Sequence, residues 1–228
     1  MEVMRKSQTP VGPVDPEASG LVYTVMPAHG GSNADSVARQ LSHELSEGYG
    51  LSVLLADFCA RGFPLWGSGE APQRLDGRTW GAFLRSQSGF DTLEAREVHP
   101  SNIRRLLEHA RGRYHITCAD LSEAKEYSAL EALRSSDGIF LVTNSDPSSI
   151  ELAKYRAAWL RSMDLDEHSA LLLNRVPAGV SATEAEDRTG LPVCSVMDDS
   201  DQLGRLAGWL AAPQLHRRVA PLPIRLVG

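Results

Sequence analysis

A short segment with two adjacent glycines, Gly30 and Gly31, is the part of this chain whose residue types and spacing suggest chemistry. It follows an apolar run, Leu21–Met26, and a helical pattern begins directly after it. A strand, a glycine turn and a helix in this order form the layout of a phosphate-binding loop, in which backbone N–H groups and the helix N-terminus receive a phosphate. The candidate binding residues are therefore Gly30, Gly31, Ser32, Asn33, Ala34, Asp35 and Ser36.

The side chains that usually serve such a loop are missing. A phosphate-binding loop places a lysine against the phosphates and a serine or threonine hydroxyl on magnesium. Here Ala34 carries no charge, and His29 is largely neutral near pH 7. Asp35 is an anion in the first helical turn, where the helix dipole favours a carboxylate that can accept from the free N–H groups itself. We therefore expect weak binding of a triphosphate unless magnesium or a partner supplies positive charge.

Polar side chains also end several other apolar runs. Asp57, Asp120, Asn144 and Asn174 each follow a short run with little polar alternation, which is typical of parallel strands covered on both faces. Ligands bind at the carboxyl ends of the strands in such sheets. We therefore expect these four side chains to converge with His29–Asn33 at one edge of the sheet.

Strands and helices alternate along the chain, which favours an α/β fold with a mostly parallel, twisted sheet and helices on both faces. The periodicity predicts strands at 21–26, 51–57, within 90–98, and at 114–119, 138–143, 169–173 and 192–196. It predicts helices at 36–45, about 79–85, 100–110, 126–134, 148–163 (with Ser148 or Ser149 as its cap), 183–189 and 202–211. Prolines at 213, 221 and 223 exclude a regular helix from Pro213 onward. This pattern predicts a flexible lead-in (1–20), one domain (21–212) and a proline-containing tail (213–228).

The net charge, the apolar runs and the cysteine content argue against several classes of protein. The net charge of −6 argues against a nucleic-acid groove, which usually has a basic surplus. No apolar run approaches the ~20 residues of a membrane span, and the N-terminus lacks the apolar core of a signal peptide. The three cysteines, Cys59, Cys118 and Cys194, fit neither a zinc site nor a disulfide framework, and we expect reduced thiols in the core. These features predict a cytoplasmic protein.

Five stretches of the chain resemble the ParA/MinD group of deviant Walker-A ATPases, which includes the ATPase part of bacterial tyrosine kinases. The family loop Lys-Gly-Gly-x-Gly-Lys-Thr-Thr corresponds to His29–Ser36, and the other stretches follow in the same order and spacing: Val53–Gly62, Ile116–Leu121, Ser136–Thr143 and Leu171–Arg175. The resemblance covers about residues 21–210 and implies a P-loop NTPase fold. It is weakest in the loop, where His29 and Ala34 replace both lysines, Asp35 replaces the magnesium-binding threonine and Asn33 replaces the third glycine.

The resemblance also implies roles for individual residues. In an active relative, Asp57 and Asp120 would be the water-activating and magnesium-linked carboxylates, or else they cap helices and bind loop N–H groups. Asn174 either contacts an adenine edge or hydrogen-bonds neighbouring loops, and Arg61 contacts a phosphate, a partner or only solvent. If the site is active, its catalytic residues are Asp57, Asp120 and Arg61, and its magnesium ligands are Asp35, Asp57 and Asp120. Arg39 is placed too far along the helix to replace the lysine.

These departures lead to the hypothesis of a ParA/MinD-like pseudo-ATPase with no nucleotide cofactor and no resident metal. It would act through protein–protein contact as a homodimer or heterodimer, with an active ATPase relative or envelope machinery as its partner. The setting implied by the resemblance is a bacterial positioning, secretion or envelope-polysaccharide system. The alternative is an ATP-binding, magnesium-dependent ATPase with a lysine-free loop. The apolar cluster Phe63–Gly67 is either a loop folded on the core or a partner anchor.

Overall fold

The computed structural model describes residues 19–58, 84–87, 89–95, 98, 100–124, 126–197 and 200–218. Eight strands of this part form one sheet in the order β3-β4-β2-β5-β1-β6-β7-β8, and every neighbouring pair is parallel except β3 and β4. The strands are β1 (Leu21–Pro27), β2 (Val53–Asp57), β3 (Leu84–Gln87), β4 (Phe90–Glu94), β5 (Ile116–Asp120), β6 (Gly138–Asn144), β7 (Ser169–Asn174) and β8 (Val193–Met197).

Six α-helices lie within the described residues, five of them between strands and the sixth after β8. They are α1 (Ala34–His43), α2 (Pro100–Arg111), α3 (Glu126–Arg134), α4 (Pro147–Ser162), α5 (Ala182–Thr189) and α6 (Ser200–Arg218). A π-helical turn, Glu44–Gly48, continues α1, and a short 3-10 turn, Asp166–His168, precedes β7. The predicted mostly parallel α/β sheet is thus confirmed, and most predicted elements lie within a few residues of the observed bounds.

Alternation along the buried strands builds a separate core on each face of the sheet. On β1, Val22 and Met26 belong to one buried cluster, while Tyr23 and Val25 belong to the other. The first cluster is covered by α2, α3, α4 and α5, and the second by α1 and α6. Burial on both faces explains why the strands read as apolar runs without polar alternation. The helices therefore lie on both faces, as predicted.

One predicted helix is wrong where the structure describes it. Leu84 and Arg85 were predicted at the end of a helix over 79–85, but Leu84–Gln87 is a strand that pairs antiparallel with β4. The two strands form a hairpin that turns at Gly89. This residue has a φ of +91°, which glycine adopts with little conformational strain because it has no side chain. Pairing with β4 decides the conformation here, against the local helical pattern. The remainder of the predicted helix, residues 79–83, lies outside the described residues.

The predicted end of the last helix is also wrong. The last helix, α6, continues through Pro213 to Arg218. Proline at 213 removes one helical hydrogen bond, to the carbonyl of Trp209, but Trp209 is exposed and water can bond to that carbonyl. On the other side of the helix, Leu210 and Ala211 are buried and hold it against the sheet. Packing therefore outweighs the local cost of the proline.

The cap of α4 and the exposure of one cysteine also differ from the predictions. The cap of α4 is Asp146, whose carboxylate accepts from Ser149 N at 2.9 Å, so neither serine is the cap. Cys118 is buried as predicted, but Cys194 is exposed on the edge strand β8, and Cys59 lies outside the described residues. No helix in the described ranges is both long enough and apolar enough to span a membrane.

Candidate functional site

The glycine-bearing loop lies at the carboxyl end of β1, near the middle of the sheet, between the neighbouring strands β5 and β6. Gly31 has a φ of +88° and Asn33 a φ of +56°, and these two left-handed residues turn the chain sharply into α1. Glycine and asparagine are the residues that adopt this region most readily. Asn33 is the residue before α1, and its side chain does not cap the helix. The predicted strand–turn–helix layout is therefore present.

Asn174 fastens this loop to the neighbouring strands. It ends β7, and its Nδ2 donates to the carbonyl oxygen of Ser32 at 2.8 Å and to Asn144 Oδ1 at 3.3 Å. Asn144 ends β6 and lies directly beside Asn174 in the register of the sheet. The amide group is therefore bound to the loop, as in the interpretation in which Asn174 hydrogen-bonds its neighbours. Asn144 itself was a predicted strand-end residue, and its contact with Asn174 depends on a register that the sequence does not contain.

The carboxylate of Asp57 is paired with an arginine of α1. Arg39 Nη2 lies 2.7 Å from Asp57 Oδ2, and the Asp57 side chain is only 6% exposed while that of Arg39 is 47% exposed. Arg39, which was predicted to lie too far along the helix to replace the lysine, thus lines the cleft and pairs with a carboxylate there. Helix α1 packs across β2 and β5, so the long side chain of Arg39 reaches the end of β2. The available signal was the four-residue spacing of Asp35 and Arg39, which places both on one helix face.

Asp120 ends β5 directly beside Asp57 in the sheet register. It is fully buried, and its Oδ1 accepts from the backbone N–H of Ser122 at 2.9 Å and from the Ser122 hydroxyl at 2.6 Å. Burial raises the pKa of this carboxyl; the Ser122 hydrogen bonds oppose the rise, and the nearby carboxylates of Asp57 and Asp35 add to it. Ser122 was not singled out from the sequence, although Asp-x-Ser is a recurrent local hydrogen-bonding pattern. The site therefore contains a carboxyl group that resists ionisation.

This burial predicts that Asp120→Asn stabilises the protein at neutral pH. The folded chain binds the Asp120 proton more tightly than the unfolded chain, so the contribution to stability is full below the ordinary pKa of 3.8 and is lost as the pH rises through the raised pKa. The asparagine oxygen can still accept from Ser122, and no charge is buried at any pH. We expect a melting temperature about 2–4 °C above wild type at pH 7, the effect of about 1 kcal/mol in a chain of this size.

Thermal melts of both proteins at pH 7 and at about pH 3.5 measure this effect. The two melting temperatures should converge at the lower pH, where wild-type Asp120 is protonated. A gap that stays constant between the two pH values would show that the substitution acts through packing and not through the charge.

The loop and the strand ends together line an open cleft of about 590 Å³. Carboxyl groups predominate in it: Asp35, Asp57, Asp120 and Glu123 line it together with a single guanidinium, that of Arg39, among the described residues. The Ser32 hydroxyl oxygen and His29 Nε2 are buried there without a hydrogen-bond partner. His29 Nδ1 lies 2.7 Å from the Gly30 carbonyl oxygen. The predicted convergence of the loop with Asp57 and Asp120 is therefore observed.

Other predicted site residues are placed less centrally. Ala34 is buried at the start of α1, whereas Ser36 is exposed on that helix. Arg61 and the apolar cluster Phe63–Gly67 lie outside the described residues. Within the described ranges, no group of three or more His, Cys, Asp or Glu side chains is arranged to hold a metal ion. Asp35, Asp57 and Asp120 nevertheless line the same cleft.

Comparisons with known proteins identify the fold. No protein-family model matches the sequence, and no curated protein matches it. Among solved structures, a ParA family ATPase from Chlorobium tepidum TLS matches with a TM-score of 0.66 and 16% identity, over 86% of this chain and 92% of that one. The chain has the ParA/MinD fold. The fold implied by the sequence resemblance is thereby confirmed.

Two further ParA/MinD structures match at similar levels. The septum site-determining protein MinD from Pyrococcus horikoshii OT3, complexed with Mg-ADP, has a TM-score of 0.65 and 16% identity, over 86% of this chain and 97% of that one. The MinC:MinD cell division protein complex of Aquifex aeolicus provides a match with a TM-score of 0.63 and 18% identity, over 89% of this chain and 98% of that one. The likeness therefore extends over nearly the whole length of each ParA/MinD chain.

Proposed function

We propose that this chain is a ParA/MinD-like pseudo-ATPase that acts through protein–protein contact, as a scaffold or regulator in a bacterial positioning, secretion or envelope-polysaccharide system. One observation carries the proposal. The single guanidinium among the described cleft residues, that of Arg39, is held at 2.7 Å by Asp57, and the loop beside it has no lysine. A guanidinium that neutralises a buried carboxylate has less charge to offer a phosphate.

The cleft does not fit a magnesium–triphosphate complex. A triphosphate is strongly anionic, whereas four carboxyl groups and one paired arginine line this cleft among the described residues. In a lysine-bearing loop each charge-assisted bond to phosphate contributes roughly 1.5–3 kcal/mol. Asp35 replaces this attraction with repulsion. The proposal therefore includes no nucleotide cofactor and no catalytic residues.

The ParA/MinD relatives also suggest how the chain could act. The Aquifex aeolicus MinD structure is a complex with the protein MinC. We propose by analogy that residues 21–212 form one cytoplasmic domain that works in a homodimer or heterodimer with a protein partner, which is an active ATPase relative or envelope machinery. Because the loop would bind no nucleotide, this association would not be controlled by nucleotide binding and would be constitutive.

Calorimetric titration of Mg-ATP and Mg-ADP into the full chain, with light scattering on the same sample, tests the proposal. We expect no binding heat up to millimolar nucleotide and an unchanged mass. Micromolar affinity for either nucleotide would overturn the pseudo-ATPase proposal. A positive control is the variant with lysine and threonine restored to the loop, described in the Discussion.

One observation favours the alternative, an ATP-binding protein with an unorthodox loop. The Arg39 side chain is 47% exposed at the cleft, so it could turn from Asp57 to a phosphate. The variant Arg39→Ala separates the two proposals. If wild type binds Mg-ATP in the micromolar range and Arg39→Ala loses at least tenfold in affinity, the alternative is correct. If neither protein binds, the pseudo-ATPase proposal stands.

A further inference from the structure

Helix α4 has an apolar stripe on its solvent side. Three large apolar side chains are exposed among the described residues, and two of them, Leu152 and Tyr155, lie on this helix with exposures of 48% and 72%. Trp159, one turn further on, is partly buried against the core. Steps of three and four residues place these three side chains on one side of the helix. The buried residues of α4 lie on the other side, at positions 149, 150, 153, 157 and 160.

The same spacing continues to both ends of the helix. Ser148 lies four residues before Leu152 and Ser162 lies three residues after Trp159, and both serines are exposed. Alternating steps of four and three residues form the seam along which two helices pack in a coiled coil. The seam is short, because α4 has 16 residues, about 24 Å of helix, and its apolar part is confined to the middle. We therefore expect a weak, reversible association.

A charged residue lies on each flank of the stripe. Glu151 directly precedes Leu152, Arg156 directly follows Tyr155, and both charged side chains are exposed. Residues at these flanking positions form the ion pairs between helices in a coiled coil. In a parallel pair in register, the residue before one seam position lies across from the residue five positions later on the other helix. Glu151 and Arg156 have this separation, so two copies of α4 would form two opposite-charge pairs.

Both charged side chains are placed to make this contact. The Arg156 guanidinium carbon lies 5.7 Å from the centre of the Trp159 ring, which holds it beside the stripe, and Arg156 has no ion pair within the described part of the chain. Glu151 lies 3.8 Å from Lys154 Nζ and 4.0 Å from Arg188 Nη1. These separations are long for ion pairs, and the Glu151 side chain is 50% exposed. Exposed pairs of this kind contribute little, so they leave Glu151 able to contact another cation.

We propose that two copies of this chain associate through α4, with the two helices parallel and in register about a two-fold axis. Leu152, Tyr155 and Trp159 of the two copies would pack together, and the two Glu151–Arg156 pairs would fix their orientation. The proposal rests on the homodimer included in the proposed function and names its interface. No residue of α4 lines the acidic cleft, so this interface does not require a nucleotide.

The charges of α4 disfavour an antiparallel pair. In that arrangement each flank of one helix meets the same flank of the other. Glu151 and Arg156 would then lie on opposite sides of the pair and could not contact each other. Each side of the interface would carry like charges, which oppose association. The parallel pair is therefore the arrangement that complements both charges.

Sedimentation equilibrium of the full chain measures the association. We expect a reversible monomer–dimer equilibrium whose dissociation constant is raised at least about tenfold by Tyr155→Ala, because the ring lies at the centre of the stripe. Trp209→Ala is the matched control, since Trp209 is 68% exposed but lies on α6, and it should leave the dissociation constant unchanged. Circular dichroism verifies that each variant is folded. Unfolding measured well below the dissociation constant reports the monomer alone.

Exchange of the two charges tests the ion pairs. Glu151→Arg and Arg156→Glu each turn two attractions into two repulsions, and we expect each to weaken the dimer about tenfold. The double variant Glu151→Arg/Arg156→Glu should restore the dissociation constant to near the wild-type value. An effect of net charge alone would not give this pattern. Because the chain has a net charge of −6, Glu151→Arg would then reduce the repulsion between copies and strengthen the dimer.

Disulfide trapping determines the orientation of the helices. Ser148→Cys and Ser162→Cys are introduced separately into a chain with Cys59→Ser and Cys194→Ser, while Cys118 is fully buried and can stay. In a parallel pair in register, each new cysteine lies beside its own copy, at a separation that a disulfide can bridge. Each variant alone should therefore form a covalent dimer under mild oxidation. An antiparallel pair would give a covalent dimer only when the two variants are mixed.

Three results would overturn the proposal. The first is a full chain that stays monomeric at submillimolar concentration. The second is a dimer whose dissociation constant neither Tyr155→Ala nor Glu151→Arg changes, which would assign the association to another surface. The third is cross-linking that appears only in the mixture of the two cysteine variants. Nucleotide titration tests the pseudo-ATPase proposal separately, because α4 contributes no residue to the cleft.

Discussion

The double variant Ala34→Lys/Asp35→Thr is expected to bind Mg-ATP about 100-fold more tightly than wild type. The lysine would add a charge-assisted bond to phosphate of roughly 1.5–3 kcal/mol. The threonine would remove the carboxylate that repels the phosphates and would provide a hydroxyl of the kind that binds magnesium. Each 1.4 kcal/mol corresponds to a tenfold change in affinity, so the two effects together give about 100-fold. The turn into the helix is already present, with Gly31 at a φ of +88° and α1 three residues later.

Isothermal titration of Mg-ATP measures this gain, and the single variants show how it divides between the two positions. Gln40→Lys/Asp187→Thr is the matched control, because it introduces the same two residues and the same change of net charge at exposed positions outside the cleft. A folded double variant that binds no better than this control would show that the cleft cannot admit a nucleotide even with its charge restored. That result would mean that more than the missing lysine separates this chain from an active ATPase.

The substitution Leu141→Ala is expected to lower the free energy of unfolding by about 2–5 kcal/mol. Leu141 is fully buried in the middle of β6, where it pairs with Met26 of β1 and Leu171 of β7. Truncation removes buried methyl groups and leaves a cavity that rigid neighbouring strands cannot close. This loss is a large part of the 5–15 kcal/mol that typically stabilises a domain.

Urea unfolding followed by circular dichroism measures the loss. Leu152→Ala is the matched control, because Leu152 lies on α4 and is 48% exposed, so we expect a change of about 0.5 kcal/mol or less. Equal losses in the two variants would contradict the placement of Leu141 at the centre of the core.

The distribution of apolar residues made most of the fold predictable. Buried strands such as β1 and β6 read as short apolar runs, and helices such as α1 show apolar residues at helical spacing. Both signals depend only on residues that are close together in the chain, so they can be recognised without knowing which elements pack against one another. They fail where a non-local contact outweighs the local pattern, as at Leu84–Gln87, which pairs with β4, and at Pro213, where packing of α6 overrides the proline.

The candidate site, like the fold, was predictable from the sequence only in part. The sequence by itself determined which side chains the loop offers: two glycines, no lysine, and Asp35 at the start of the helix. It also placed Asp57 and Asp120 at one edge, because parallel strands share a direction. Only the tertiary structure decided that Arg39 neutralises Asp57 and that Asn174 holds the carbonyl oxygen of Ser32. Both contacts join residues that are far apart in the chain, and they depend on strand order and side-chain reach, which no local pattern encodes.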